Sequence, residues 1–276
     1  MAAQPQAAAA RRESLKELLM QARSCERCAE LAATRKTVVF GSGNADADLM
    51  FVGEAPGASE DEQGLPFVGR AGRLLDQLLE EISLERASVW ICNVLKCRPP
   101  GNRDPQPVEI ENCQEYLLRQ VELIEPTVIC TLGNFSTKLL RGDPTGITRL
   151  HGRPEVTMLG ARAVRLYPIY HPAAALYTPR MLQTLREDFA RIPELLELGP
   201  PEQPTPPDGV RSAPNVHSPH GPPDSESPDA PPLPADDAAE TGPRITRPAP
   251  GGRAPEPPEP DGAGAEPETA QQLGLF

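Results

Sequence analysis

No stretch of this chain is long and apolar enough to span a bilayer. Residues 1–10 are rich in Ala and Gln but lack the charged start and apolar run of a secretory signal. A cytoplasmic location is therefore expected, where thiols stay reduced. From Pro200 onward the chain has almost no aromatic residues until the last one, Phe276. That stretch holds 21 of the 35 prolines, with 13 acidic and 4 basic residues. It cannot bury enough apolar area to offset the entropy of ordering, so 199–270 reads as a disordered, partly extended linker. Its net charge of −9 accounts for most of the −12 of the whole chain. The acidity thus belongs to the tail and does not argue against a nucleic-acid partner.

What remains fits one domain over 13–198, after a flexible N-terminus at 1–12. Glu13–Ala22 has the spacing of an amphipathic helix, with Leu15, Leu18, Leu19 and Ala22 on one face. Four apolar runs follow: Leu49–Gly53, Val89–Val94, Thr127–Leu132 and Val164–Tyr170. Each leads through a loop into a helical pattern: Ala71–Ile82, Pro107–Ile124, a helix starting near Asn134, and Arg180–Leu196. Pro107 suits a first helical turn. Strands alternating with helices imply an α/β fold, a parallel sheet with helices on both faces. Ligands of such sheets bind beyond the carboxyl ends of the strands. Gly53-Glu54, Asn93 and His171 stand at those ends.

Cys25 and Cys28 form a C-x-x-C pair, and Cys97 and Cys113 follow with fifteen residues between them. No histidine accompanies them. Four thiolates in a reduced compartment suit zinc or an iron–sulfur cluster, and spacing alone does not choose between the two. Cys92 and Cys130 lie inside apolar strands and read as buried small side chains.

The first βα loop, Gly53-Glu54-Ala55-Pro56-Gly57 through Gly64-Leu65-Pro66-Phe67-Val68-Gly69, lets a ligand approach the backbone. No Gly-Lys-Ser/Thr follows, which excludes a phosphate-binding P-loop. Phe67 fits either a core anchor or a stacking platform for a base. Asn93 offers a donor and an acceptor that match a uracil-like edge, or simply ends a strand. Pro172 restricts His171 to extended backbone, so its imidazole points from a fixed place and can donate to a developing oxyanion. Lys96–Arg103 is a basic, rigid loop suited to phosphates.

Taken together, Cys25-x-x-Cys28, Gly53–Gly57, Gly64–Gly69, Asn93–Pro100, Cys113 and His171-Pro172 resemble the type-4, iron–sulfur branch of the uracil-DNA glycosylase superfamily over roughly 13–198. The resemblance implies a three-layer α/β/α fold with a central four-stranded parallel sheet. It implies a 4Fe–4S cluster on Cys25, Cys28, Cys97 and Cys113. It also implies a uracil site formed by Gly53, Glu54, Ala55, Phe67, Asn93 and His171, with Glu54 and His171 catalytic. The implied activity is hydrolysis of the N-glycosidic bond of flipped-out deoxyuridine in DNA, leaving an abasic site for base-excision repair. Two alternatives stand beside it: an iron–sulfur DNA-binding module with little or no catalysis, and a structural zinc domain. Two departures are visible. The Arg that relatives often carry shortly after His-Pro is absent before Arg180, and no His-containing insertion separates Pro100 from Cys113. At the C-terminus, 271–276 contains Gln272, Leu273, Leu275 and Phe276 in a pattern similar to the peptide that docks on the bacterial sliding clamp.

Overall fold

The computed structural model describes residues 5–204. In chain order it forms α1 (Pro5–Arg23), α2 (Ala29–Thr34), β1 (Ser42–Gly43), β2 (Leu49–Gly53), α3 (Ala58–Gln63), α4 (Arg70–Glu81), β3 (Trp90–Asn93), α5 (Pro107–Ile124) and β4 (Val128–Leu132). There follow α6 (Asn134–Arg141), α7 (Ile147–Leu150), β5 (Glu155–Leu159), β6 (Arg162–Ile169), α8 (Pro172–Ala175), α9 (Pro179–Ala190) and α10 (Ile192–Glu197).

The sheet order is β1-β3-β2-β4-β6-β5. The inner four strands are parallel, and β1 and β5 are antiparallel edges. The expected parallel four are therefore present, but the sheet has six strands rather than four. The reason is chemical. Inner strands such as β2 and β4 are buried at every position and read as apolar runs. Strand β5 alternates between partly buried and exposed residues until Leu159, and β1 is only Ser42-Gly43. Neither forms an apolar run.

Alternation along β2 builds the two cores. Met50 and Val52 face one layer with Leu15, Leu18 and Leu19 of α1 and Leu117, Val121 and Ile124 of α5. Leu49 and Phe51 face the other, with Leu74, Leu75, Leu78 and Leu79 of α4 and Leu185 and Phe189 of α9. This is the three-layer α/β/α arrangement.

Helix α1 starts at Pro5 rather than Glu13, and Arg11 and Arg12 pair with Asp46 at 2.8 and 3.2 Å. The expected single helix over 180–196 is two, α9 and α10, parted at Arg191; Pro193 has no N–H to continue the ladder. At the far end the Gln203 carboxamide accepts from the Ala163 N–H (3.1 Å) and donates to its carbonyl (2.9 Å). The rest of the expected linker, and the clamp-like residues Gln272, Leu273, Leu275 and Phe276, lie outside the described residues. Among the described residues no helix is long and apolar enough to cross a membrane.

Candidate active site

The carboxyl ends of the parallel strands meet at one rim. Gly53 pairs in register with Asn93, and Gly133, just after β4, donates its N–H to Ile169 O of β6 (2.9 Å). A cavity of about 410 Å³ opens there, lined among others by Glu54, Ala55, Phe67, Asn93 and His171. Five of the six residues expected at the site thus share one cavity. The sixth, Gly53, lies beneath it. A methyl group on Gly53 would stand 2.3 Å from Asn93 Oδ1 and 2.8 Å from the Phe67 ring, so only glycine admits both neighbours.

Phe67 sits in the left-handed region, φ 52°. Its surroundings hold it there. Arg86 donates to the carbonyls of Phe67 (3.2 Å) and Pro66, and pairs with Asp76 (2.9 Å). A Cβ on Gly72 would lie 1.7 Å from Phe67 O, so α4 packs directly on this backbone. From the other side, Glu60 Oε1 accepts from the N–H groups of Val68 (3.1 Å) and Gly69 (3.0 Å). Glu60 also lines the cavity. Its part in shaping the loop was not legible in the sequence; an acidic residue eight positions before two loop amides carries no periodic signal.

His171 caps α8. Its Nδ1 accepts from the Ala173 N–H at 3.0 Å, so the hydrogen of the neutral ring sits on Nε2 and is available to an acceptor. Burial pushes its pKa down to about 4, with Glu60 opposing. The imidazole is therefore neutral near pH 7 and still a donor. Burial, with Asp104 adding to it, raises the Glu54 carboxyl above its ordinary range.

The basic loop is less available than its sequence suggests. Lys96 is 1% exposed, and Arg103 is held by Glu109 (2.9 and 2.6 Å) and Glu30 (2.7 Å). Arg98 bonds a neutral partner, the Asn102 carboxamide (2.8 Å). In the segment after His171-Pro172, which has no Arg before Arg180, Tyr177 stands 75% exposed. Arg70 donates to its hydroxyl at 2.8 Å and lies over its ring. A guanidinium from α4 thus lies beside this segment.

The four cysteines lie against one core cluster. Cys97 feels the charges of Cys25 and Cys28, and Cys113 those of Cys97 and Cys28. Each sulfur accepts from N–H donors: Cys25 from Arg27 Nε (3.5 Å), Cys28 from Asn112 (3.5 Å), Cys97 from Arg35 (3.2 Å) and Cys113 from the Lys96 backbone (3.3 Å). Burial raises Cys97, and raises Cys113 to about 11; Cys25 is pushed up by burial too but ends below its ordinary value through hydrogen bonds from Arg27 and Tyr116. Among the described residues no three His, Cys, Asp or Glu side chains are close enough to share one metal ion. Four accepting sulfurs ringed by donors fit an anionic, thiolate-ligated centre.

The sequence profile described as the Uracil DNA glycosylase superfamily matches residues 40–195. The chain is 45% identical to a type-4 uracil-DNA glycosylase of Archaeoglobus fulgidus over 187 residues, 66% of this chain and 94% of that protein. It is 46% identical to one of Sulfurisphaera tokodaii over 188 residues, 66% of this chain and 85% of that protein. One of Thermotoga maritima is 44% identical over 167 residues, 60% and 85% of the two chains. A strand-end cavity with a neutral imidazole, a buried carboxamide and an aromatic ring is thus found in a chain that belongs to the uracil-DNA glycosylase superfamily, in its type-4 branch.

Proposed function

We propose that this chain removes uracil from DNA by hydrolysing the N-glycosidic bond of a flipped-out deoxyuridine, with the rim residues carrying the chemistry. Uracil within a duplex is out of reach, so the nucleotide leaves the stack. Phe67 stacks on the extruded ring. The Asn93 carboxamide reads the pyrimidine edge, and its paired donor and acceptor separate uracil from cytosine. As the bond breaks, positive charge grows on the sugar and negative charge on uracil O2. His171 Nε2–H donates to that oxygen, assisted by backbone N–H groups near Gly53. Glu54 as the carboxylate stabilises the cationic sugar or orients the attacking water.

The observation that carries this reading is the His171 hydrogen bond to Ala173, because it aims a neutral donor rather than a cation at the leaving group. A DNA-binding module without catalysis has no need of that arrangement. Cys25, Cys28, Cys97 and Cys113 would hold a 4Fe–4S cluster. When bound, it supplies a rigid cross-link between the N-terminal helices and the loop after β3. The test is incubation with a uracil-containing single-stranded oligonucleotide, followed by alkaline cleavage of abasic sites. Full excision by both H171A and N93A would end the assignment.

The C-terminal Gln272-Leu273-Gly274-Leu275-Phe276 is proposed as a sliding-clamp peptide, its apolar and aromatic side chains filling a preformed pocket. Equal clamp retention by the full chain and by one lacking 272–276 would remove that partner.

A further inference from the structure

Lys96 is among the largest fully buried side chains of the domain, 1% exposed, yet it lies in a segment rich in Pro, Gly and charge. Its Nζ donates to the Asn93 carbonyl (2.8 Å) and to Gln120 Oε1 (2.7 Å), and lies 5.9 Å from the Phe40 ring centroid. Gln120 is fixed in turn by donating to Phe40 O (2.9 Å). The Asn93 carbonyl and the Val94 N–H are two poles of one peptide unit. The Val94 N–H donates to Gly53 O at 3.0 Å. That unit is therefore clamped at both ends, by Gly53 on one side and Lys96 on the other. Since a peptide unit is planar, holding both poles fixes the backbone torsion that leaves the Asn93 α-carbon. The direction of the Asn93 side chain follows from it.

We infer that Lys96 is a positioning residue for base recognition: by holding the carbonyl of Asn93 it sets the angle at which the Asn93 carboxamide meets the pyrimidine. The inference rests on the reading of the site given above. Lys96 touches neither substrate nor the reacting atoms. It acts from the layer beneath, between the strand end and the cysteine-bearing loop, where its own N–H meets Cys113 Sγ. With the clamp open on one side, the peptide unit can rock and the carboxamide loses its alignment.

The experiment is a double-mutant cycle on the intact holoprotein. K96M keeps the length and apolar stem of the side chain and removes the donor. Excision from a uracil-containing single-stranded oligonucleotide is measured for wild type, K96M, N93A and N93A/K96M, together with inhibition by free uracil and absorbance of the bound centre. K96M is expected to lose on the order of 10²-fold in kcat/KM, the loss typical of a small misplacement of a recognition group. Its inhibition by free uracil should weaken in parallel while the visible absorbance stays unchanged. In the N93A background K96M should cost nothing more, since the group it positions is gone. Additive losses, or wild-type activity in K96M, overturn the inference. A fully active N93A sinks the site reading itself; a damaged N93A beside an undamaged K96M sinks the role of Lys96 alone. Should K96M not fold, Q120M removes the anchor of the ammonium and must show the same non-additivity with N93A.

Discussion

The phenyl ring of Phe67 stacks on the imidazole of His171, centroids 5.5 Å apart and planes 28° from parallel. The two residues come from the loop before α4 and from the cap of α8, over a hundred positions apart in the chain. The aromatic proposed to receive a base thus walls the imidazole from water. Burial of this kind lowers the His171 pKa to about 4 and keeps the ring uncharged.

A pH dependence follows with a definite sign. His171 titrates near 6.5 when unfolded and near 4 in place, so the unfolded chain binds a proton that the folded one refuses. Its contribution to stability is intact above the unfolded value and is lost as pH falls through that window. Activity differs: between pH 8 and 5 His171 stays neutral, so it adds no acid limb to kcat/KM. The acid limb expected of kcat/KM belongs to Glu54, whose carboxyl is raised above its ordinary value by burial, with activity lost as pH falls through its titration. E54Q should flatten it. A limb centred near 6.5 that survives E54Q and vanishes in H171N would refute the assignment. H171A itself should cost on the order of 10²-fold in rate at pH 7.

Gly53→Ala tests the floor of the cavity. Its methyl group would overlap Asn93 Oδ1 and the Phe67 ring, both side chains that can swing aside. The fold should survive with a modest change in Tm, while excision drops by roughly 10²-fold through misalignment. Wild-type turnover in G53A would show that neither neighbour needs its present place.

Removal of the cysteine centre should appear first as lost stability. Cys113→Ser takes one sulfur from α5 and should abolish absorbance at about 400 nm, the region of thiolate-bound iron–sulfur centres. It should also lower Tm by freeing the segment that carries Cys25 and Cys28. A colourless wild-type protein that retains zinc through gel filtration would replace the cluster with a single ion.

Arg70→Ala removes the guanidinium bonded to Tyr177. If this cation meets a phosphate, KM should rise, kcat should change little, and the slope of log affinity against log salt should shrink by about one. An unchanged salt slope would confine Arg70 to holding Tyr177.

Legibility in the sequence followed burial on two faces. The inner strands stood out because each side is covered and most of their residues are apolar, and α5 was bounded as Pro107–Ile124 because Pro107 opens it. The edge strands β1 and β5 show one face to solvent and give no run. The cavity residues could be named from motif resemblance, but their support could not. Phe67 has a positive φ although it is not glycine, and only Arg86, Glu60 and Gly72 together explain it. Lys96 looked like a loop cation, since nothing nearby in sequence foretells the distant Gln120 and Phe40 that bury it.

The attachment of Gln203 to Ala163 has a practical outcome. Ala163 lies in the first residues of β6, whereas His171 follows its opposite end, eight residues and roughly 25 Å along the strand direction. A linker attached just after residue 204 starts from the pole opposite the mouth of the strand-end cavity. A coupling made just beyond residue 204 should therefore leave oligonucleotide access to the cavity undiminished.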